Sequence, residues 1–182
     1  MKKALQLICL STFCALFALA ADTAPKATSA NPLTGGEKGI YHYIMGMAIK
    51  AAEEMPEENY SFKPVDTIRS FGQLAAHVAD GQYEFCGFVS GDKTMPDVEK
   101  NKTTKADIVQ AMKDAMAYCD KAYAGLSDTS GAEKVKLFGQ MELPKLTVMS
   151  LNTAHTDEHY GNMVTYLRLK GLVPPSSQRS NQ

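Results

Sequence analysis

The chain has 182 residues, with 19 Lys and Arg against 20 Asp and Glu, and 45% of the residues are hydrophobic. That apolar share excludes an intrinsically disordered chain, and a formal net charge of −1 gives no basic footprint for binding nucleic acid. The length predicts one domain, and the lack of Trp, the 10 Met and the long stretches of Ala, Met, Lys and Glu favour helices.

The first twenty residues have the layout of a secretory signal peptide. A cationic start, Met1–Lys3, precedes residues 4–20, which carry no charge, and Ala18 and Ala20 place small side chains before a cut after residue 20. A retained membrane anchor is the alternative, although the uncharged run is short for a spanning helix. We therefore expect an exported protein, periplasmic or secreted, with a flexible leader rich in Ala, Thr, Ser, Pro and Gly at 21–38.

Four segments beyond the leader have the hydrophobic period and the end signals of helices. Ser70 is the predicted N-cap of the second helix, Gly91 lies just beyond its end, and Thr104 opens a capping arrangement for the third. The predicted helices cover about residues 39–55, 70–89, 104–126 and 144–170. Together they predict an all-α four-helix bundle over 39–173, followed by a C-terminal tail at 174–182, and no strand of useful length is predicted.

Two histidines lie four residues apart on the fourth predicted helix. His155 and His159 project from one face, about one turn apart, which suits a single divalent transition metal. His77, on the flank of the apolar stripe of the second helix, is the natural third ligand, and Gly81 one turn further on permits a close approach. Three neutral imidazoles leave coordination positions open, which is typical of a catalytic metal site. The alternative is that these are ordinary helix histidines without a metal.

Other residues near the predicted site receive weaker interpretations. His42 lacks a partner at ligand spacing and is interpreted as structural. Cys86 lies on the opposite side of its helix from His77 and is not expected to be a ligand. Side chains that could orient an imidazole, or in the case of the carboxylates move a proton, are Asp80, Glu84, Asn152 and Asn162. The sequence identifies no catalytic residue.

Two cysteines remain after the predicted cleavage, Cys86 and Cys119. In an oxidising compartment an even pair favours a disulfide. Two small buried apolar side chains are the alternative, because free cysteine is often buried. The sequence leaves this pairing open.

Three stretches resemble the DinB/YfiT-like superfamily. Residues 69–80, RSFGQLAAHVAD, are similar to its second-helix motif, and residues 155–162, HTDEHYGN, together with 171–175, GLVPP, are similar to its fourth-helix signature and C-terminal end. The resemblance covers about residues 40–176 and implies an up-up-down-down four-helix bundle. It also implies a bound metal, usually zinc or nickel, whose three ligands map onto His77, His155 and His159.

The resemblance implies several activities, because similar proteins include thiol-dependent S-transferases, a thiol-dependent isomerase and metal-dependent hydrolases. We therefore expect an exported metal-binding protein with an open three-histidine site, a hydrolase or a transferase acting on a small molecule. Export weakens the thiol-dependent interpretation, since low-molecular-weight thiols are scarce outside the cytoplasm. The alternative is a non-catalytic bundle that binds a small ligand or a partner and keeps a vestigial metal site. The assembly we expect is a homodimer. We expect no nucleic-acid partner, and no membrane partner after cleavage of the signal peptide.

Overall fold

The computed structural model describes residues 30–178. Four long helices form the bundle: α1 (Pro32–Glu54), α2 (Phe71–Ser90), α4 (Lys105–Ala124) and α6 (Lys145–Leu169). The connections contain the one-turn helices α3 (Val98–Asn101) and α5 (Asp128–Gly131) and the strands β1 (Lys134–Leu137) and β2 (Met141–Pro144). Short 3₁₀ turns lie at Glu57–Asn59 and Pro175–Ser177. The predicted all-α bundle is confirmed, whereas the predicted signal peptide and the end of the tail lie outside the described residues.

Local signals in the sequence set the ends of α2 and the start of α4. The Ser70 hydroxyl accepts the Gln73 N–H at 3.2 Å and the Gln73 side chain accepts the Ser70 N–H at 3.0 Å, which is a capping box. Gly91 ends α2 with a φ of 81°, a left-handed conformation that glycine adopts without strain. Thr104 accepts the N–H of Asp107 at 3.2 Å. The three predicted helix ends are therefore confirmed.

Helix α1 begins at Pro32, inside the stretch that the sequence predicts as a flexible leader (21–38). Proline suits the first turn, where its missing N–H has no intrahelical partner to lose. The Asp128 carboxylate, from α5, accepts the N–H groups of Leu33 at 3.1 Å and Thr34 at 2.8 Å. Because these acceptors come from a residue distant in the sequence, the local pattern placed the helix start too late.

The connection between α4 and α6 contains a hairpin that the sequence pattern does not predict. β1 and β2 pair antiparallel, with Lys134 opposite Pro144 and Leu137 opposite Met141. In strands of only four residues, an alternation of apolar and polar residues cannot be distinguished from a chance pattern. The hairpin turn holds Phe138 at a φ of 50°, and the Phe138 side chain is exposed.

Ion pairs show that α1 and α4 run antiparallel. Lys38 near the start of α1 pairs with Asp120 near the end of α4, at 3.0 Å. Near the end of α1, Glu53 pairs with Lys113 at 2.7 Å, and Lys113 lies earlier in α4. The two helices therefore point in opposite directions.

Helices α2 and α4 run parallel. A disulfide joins Cys86 to Cys119, late in both helices, while Gly72 lies against Ile108, early in both. Parallel neighbours need a connection that returns along the bundle. Residues 91–104 supply it, because at roughly 3.3 Å per residue they exceed the roughly 30 Å length of α2.

Helices α2 and α6 run antiparallel. The Tyr166 hydroxyl, late in α6, donates to the carbonyl of Arg69 just before α2 at 2.7 Å, and Asn152, early in α6, donates to Gln82, late in α2. The four helices are therefore arranged up-down-down-up. This corrects the up-up-down-down order implied by the resemblance: a lengthwise return lies between α2 and α4, and α1 and α2 are antiparallel.

The inward faces of the four helices form one apolar core, and none of the helices within residues 30–178 combines the length and the apolar character needed to cross a membrane. Methionine fills much of the core, since its flexible thioether adapts to irregular gaps. Among the largest fully buried side chains are Tyr41, Met45, Phe71, Met112, Met149, Met163 and Leu167.

The Cys86–Cys119 disulfide that the sequence leaves open is present, with the two Cα atoms 5.3 Å apart and a sequence separation of 33. Replacing both cysteines by alanine should lower the free energy of unfolding by about 2–4 kcal/mol, because the unfolded chain loses a loop constraint. Urea unfolding of both proteins checks this. A reductant should destabilise the native protein and leave the double variant unchanged, and equal stability of the two oxidised proteins would contradict the expectation.

Candidate metal centre

The three predicted histidines meet in the groove between α2 and α6. Nε2 of His155 lies 3.3 Å from Nε2 of His77 and 3.0 Å from Nε2 of His159. One ring nitrogen from each residue lies within 4.8 Å of the other two, and all three rings are half-buried. The antiparallel packing of α2 and α6 thus brings together side chains that are 78 and 4 residues apart along the chain.

A glycine on α2 makes room for the central ring. Gly81 is buried, and a Cβ built on it would lie 2.7 Å from Cε1 and 3.0 Å from Nδ1 of His155. Real Cβ atoms do not approach other heavy atoms so closely, so any side chain at this position displaces the ring of His155. The close approach expected from the sequence at Gly81 is therefore present, and the group that approaches is the His155 ring.

The carboxylate of Glu99, on α3, lies against His77. Oε2 of Glu99 is 3.5 Å from Nδ1 of His77, and its other oxygen accepts from Nε of Arg69 at 3.0 Å. Asp80, which the sequence suggests as an orienting group, instead accepts the N–H groups of Val98 at 2.6 Å and Glu99 at 2.9 Å. Sequence reasoning missed Glu99 because it lies in the connection between two helices, where helical spacing gives no signal.

The two asparagines do not hydrogen-bond to the histidine rings. Asn152 is buried and donates to Oε1 of Gln82 at 2.7 Å, on the core side of α6. Asn162 is exposed and lines a cavity beside His159. The suggested role of Asn152 at the rings is therefore wrong, because the inward direction of its side chain commits it to the core.

The remaining candidates lie away from the cluster. His42 is 2.6 Å from the Asp120 carboxylate, between α1 and α4, in agreement with a structural role. Cys86 is bonded to Cys119 and is no ligand, as expected. Glu84 lines a separate cavity of about 400 Å³ between α2 and the connection that follows it.

Burial lowers the pKa of all three imidazoles. The pKa of His155 falls to about 4, first because of burial and then because of the neighbouring rings of His159 and His77. Burial also lowers the pKa of His77, with the Arg69 guanidinium as the next cause, and that of His159. At neutral pH the rings are uncharged, which is the protonation state required of a metal ligand.

The donor set fits a transition metal. Three imidazole nitrogens suit zinc or nickel, whereas magnesium and calcium prefer oxygen. The Glu99 carboxylate favours the proton of His77 on Nδ1, which leaves the Nε2 lone pair directed at the cluster. The Nδ1 atoms of His155 and His159 are buried and have no hydrogen-bond partner within residues 30–178.

A cavity of about 330 Å³ opens beside the cluster. Its lining contains one of the three histidines, one positively charged residue and no carboxylate. The lining residues are Thr67, Ile68, Arg69, Leu74, His159, Asn162 and Tyr166. Its volume is in the range of small-molecule sites. A small molecule in this cavity therefore lies next to the histidine cluster.

The fold and the site define a class of helical bundle protein with a three-histidine cluster. The family model of the DinB superfamily matches residues 46–163, and the chain belongs to this superfamily. Among curated proteins, YjoA of Bacillus subtilis (strain 168) is 24% identical over 126 residues, which cover 66% of this chain and 79% of YjoA.

Solved structures share the fold. The DinB-like protein YjoA from Bacillus subtilis matches with a TM-score of 0.63 and 19% identity, covering 79% of this chain and 99% of YjoA. A DinB-like protein from Bacillus cereus ATCC 10987 matches at 0.61 and 17%, covering 78% and 95%. A mycothiol-dependent maleylpyruvate isomerase matches at 0.59 and 11%, covering 71% of this chain and 60% of the isomerase. The resemblance to this superfamily is confirmed.

Substituting Gly81 by alanine should displace the His155 ring and weaken the binding of added zinc by about ten-fold or more, because the new Cβ occupies the space of that ring. Competition with a chromophoric chelator measures the affinity. Gly46→Ala is the matched control, since Gly46 lies in a helix and a Cβ there meets nothing within 4 Å. That control should leave zinc affinity unchanged and raise stability by up to about 1 kcal/mol. Equal zinc affinity in all three proteins would contradict the assigned role of Gly81.

The metal-free protein should lose stability as the pH falls from about 6.5 towards 4. The unfolded chain takes up protons on histidine near pH 6.5, whereas burial holds the pKa of His155 in the folded state at about 4. The unfolded state therefore binds more protons in this window, and stability falls with pH. Urea unfolding in the presence of a chelator measures the slope. His155→Leu should flatten it, and a slope that does not change would count against burial as the cause.

Proposed function

We propose that this protein is an exported metal-dependent enzyme in which His77, His155 and His159 hold one divalent cation, zinc or nickel. The observation that carries the proposal is the convergence of three imidazole Nε2 atoms, with neighbouring separations of 3.0 and 3.3 Å. Three protein ligands with one side facing a cavity are typical of catalytic rather than structural zinc sites.

The substrate reacts beside His159, where the cavity meets the cluster. A cation in such a site supplies Lewis acidity and lowers the pKa of a coordinated water or thiol. The protein's own part is to keep the three rings neutral by burial and to hold the ring of His77 through Glu99. The chemistry we propose is hydrolysis or group transfer on a small molecule.

The two reaction classes have different support. The fold neighbour named a mycothiol-dependent isomerase supports a thiol as the activated group. The signal-peptide layout of residues 1–20 and the Cys86–Cys119 disulfide support an oxidising compartment, where small thiols are scarce. We therefore place hydrolysis first and thiol transfer second.

A non-catalytic bundle with a vestigial site is the second candidate. The observation that favours it is the lack of a partner, within residues 30–178, for the buried Nδ1 atoms of His155 and His159. In metal sites the second ring nitrogen usually donates to a carboxylate, a carbonyl or a water. This candidate predicts low metal occupancy.

Elemental analysis of the untagged protein, purified from an exporting host, separates the two candidates. We expect about one zinc or nickel per chain, and its loss in His155→Ala and in His159→Ala. His42→Ala should keep the metal, because His42 pairs with Asp120 away from the cluster. Full metal content in both His155→Ala and His159→Ala would refute the site, and an empty native protein would favour the second candidate. The intact mass of the same sample reports whether residues 1–20 have been removed.

A further inference from the structure

One positively charged residue, Arg69, lines the cavity beside the histidine cluster. Arg69 and His159 line the same cavity, and the Arg69 guanidinium lowers the pKa of each of the three histidines. The positive charge of Arg69 is therefore felt at the cluster itself. Any molecule that fills the cavity next to His159 also meets Arg69.

The terminal N–H donors of the Arg69 guanidinium make no hydrogen bond within residues 30–178. Its Nε donates to Glu99 at 3.0 Å, and among the hydrogen bonds within residues 30–178 this is the only one that the guanidinium makes. The two terminal nitrogens together carry four N–H donors. The backbone at Arg69 is held in place, because its carbonyl accepts from the Tyr166 hydroxyl at 2.7 Å and the next residue, Ser70, caps α2.

The rest of the cavity lining adds no second carboxylate to the ion pair that Arg69 makes with Glu99. Thr67 and Asn162 offer uncharged polar groups, Ile68 and Leu74 are apolar, and no carboxylate lines the cavity. Glu99 contacts the Nε side of the guanidinium and does not line the cavity. Arg69 thus lines the cavity with its terminal nitrogens free of hydrogen bonds within residues 30–178, and a guanidinium with free terminal nitrogens matches the geometry of an oxyanion.

We propose that Arg69 determines specificity by binding an oxyanion of the substrate, a carboxylate or a phosphate, while the reacting group lies at the histidine cluster. The substrate class is thus a small anionic molecule that fits about 330 Å³. This inference rests on the proposed function for the position of the reacting group. The contact between Arg69 and an oxyanion does not itself require a metal.

Cobalt-loaded protein tests the proposal with hydroxamates, which ligate the metal without reducing the disulfide. The probes are the monohydroxamate of succinic acid, which carries a carboxylate, its neutral amide, and an analogue in which a phosphonate replaces the carboxylate. The cobalt absorption spectrum reports binding. We expect the native protein to prefer an anionic probe over the amide by about ten-fold, the size of one charge-assisted contact. The preferred anion identifies carboxylate or phosphate as the natural group.

Two variants separate recognition from a structural role. Arg69→Met should abolish the preference and leave binding of the neutral amide unchanged. Arg168→Met is the matched control, since Arg168 lies on α6, donates to Ser177 and does not line the cavity, and it should keep the preference. Equal affinity of the native protein for charged and neutral probes overturns the proposal. Equal weakening of all probes in Arg69→Met also overturns it, because the residue would then act only through Glu99.

A metal-free measurement keeps this test separate from the proposed function. Succinate or inorganic phosphate added to the apoprotein should shift the Nε–H NMR resonance of Arg69 and leave that of Arg168 in place. If cobalt fails to bind but this shift occurs, the metal-dependent function fails and the oxyanion site stands. If cobalt binds and neither anion shifts the Arg69 resonance, the oxyanion site fails and the metal-dependent function stands.

Discussion

The candidate site depends on the close antiparallel approach of α2 and α6 at Gly81. The imidazole of His155 occupies the space where a side chain at this position would lie. The next residue on α2, buried Gln82, donates to Thr156 at 2.9 Å and accepts from Asn152 at 2.7 Å. These buried hydrogen bonds favour one register of the two helices, because shifting either helix leaves polar groups unpaired in the core. The distances among the three histidines follow from that register.

The second constraint is the direction of the connection after α2. Because α2 and α4 are parallel, the chain must return along the bundle, and this return passes beside His77. Asp80 accepts two backbone N–H groups of α3 and so fixes the position of Glu99. Glu99 in turn contacts both His77 and Arg69. The return connection therefore links the histidine cluster to Arg69, which lines the neighbouring cavity.

The disulfide contacts buried amide or backbone groups of two residues next to the candidate site, Gln82 and Asn152. Cys119 lies 3.4 Å from the carbonyl of Gln82, and the amide nitrogen of Asn152 is within 3.7 Å of both sulfur atoms. The covalent bond ties α2 to α4, while the amides tie α2 to α6. The helix that carries His77 is thus held from two sides, which limits the motion available to the cluster.

The sequence by itself determined the four main helices, several of their ends and the three histidines, because helical period, capping and i, i+4 spacing are local properties. Only the tertiary structure decided the up-down-down-up order, the early start of α1 under Asp128, and the hairpin, since these depend on partners distant in the chain. The same holds for Glu99, which lies in a connection where spacing gives no signal. The tertiary structure also decided the role of Asn152. Although Asn152 lies close to His155 in the sequence, its amide is packed in the core and hydrogen-bonds to Gln82 instead of to a histidine ring.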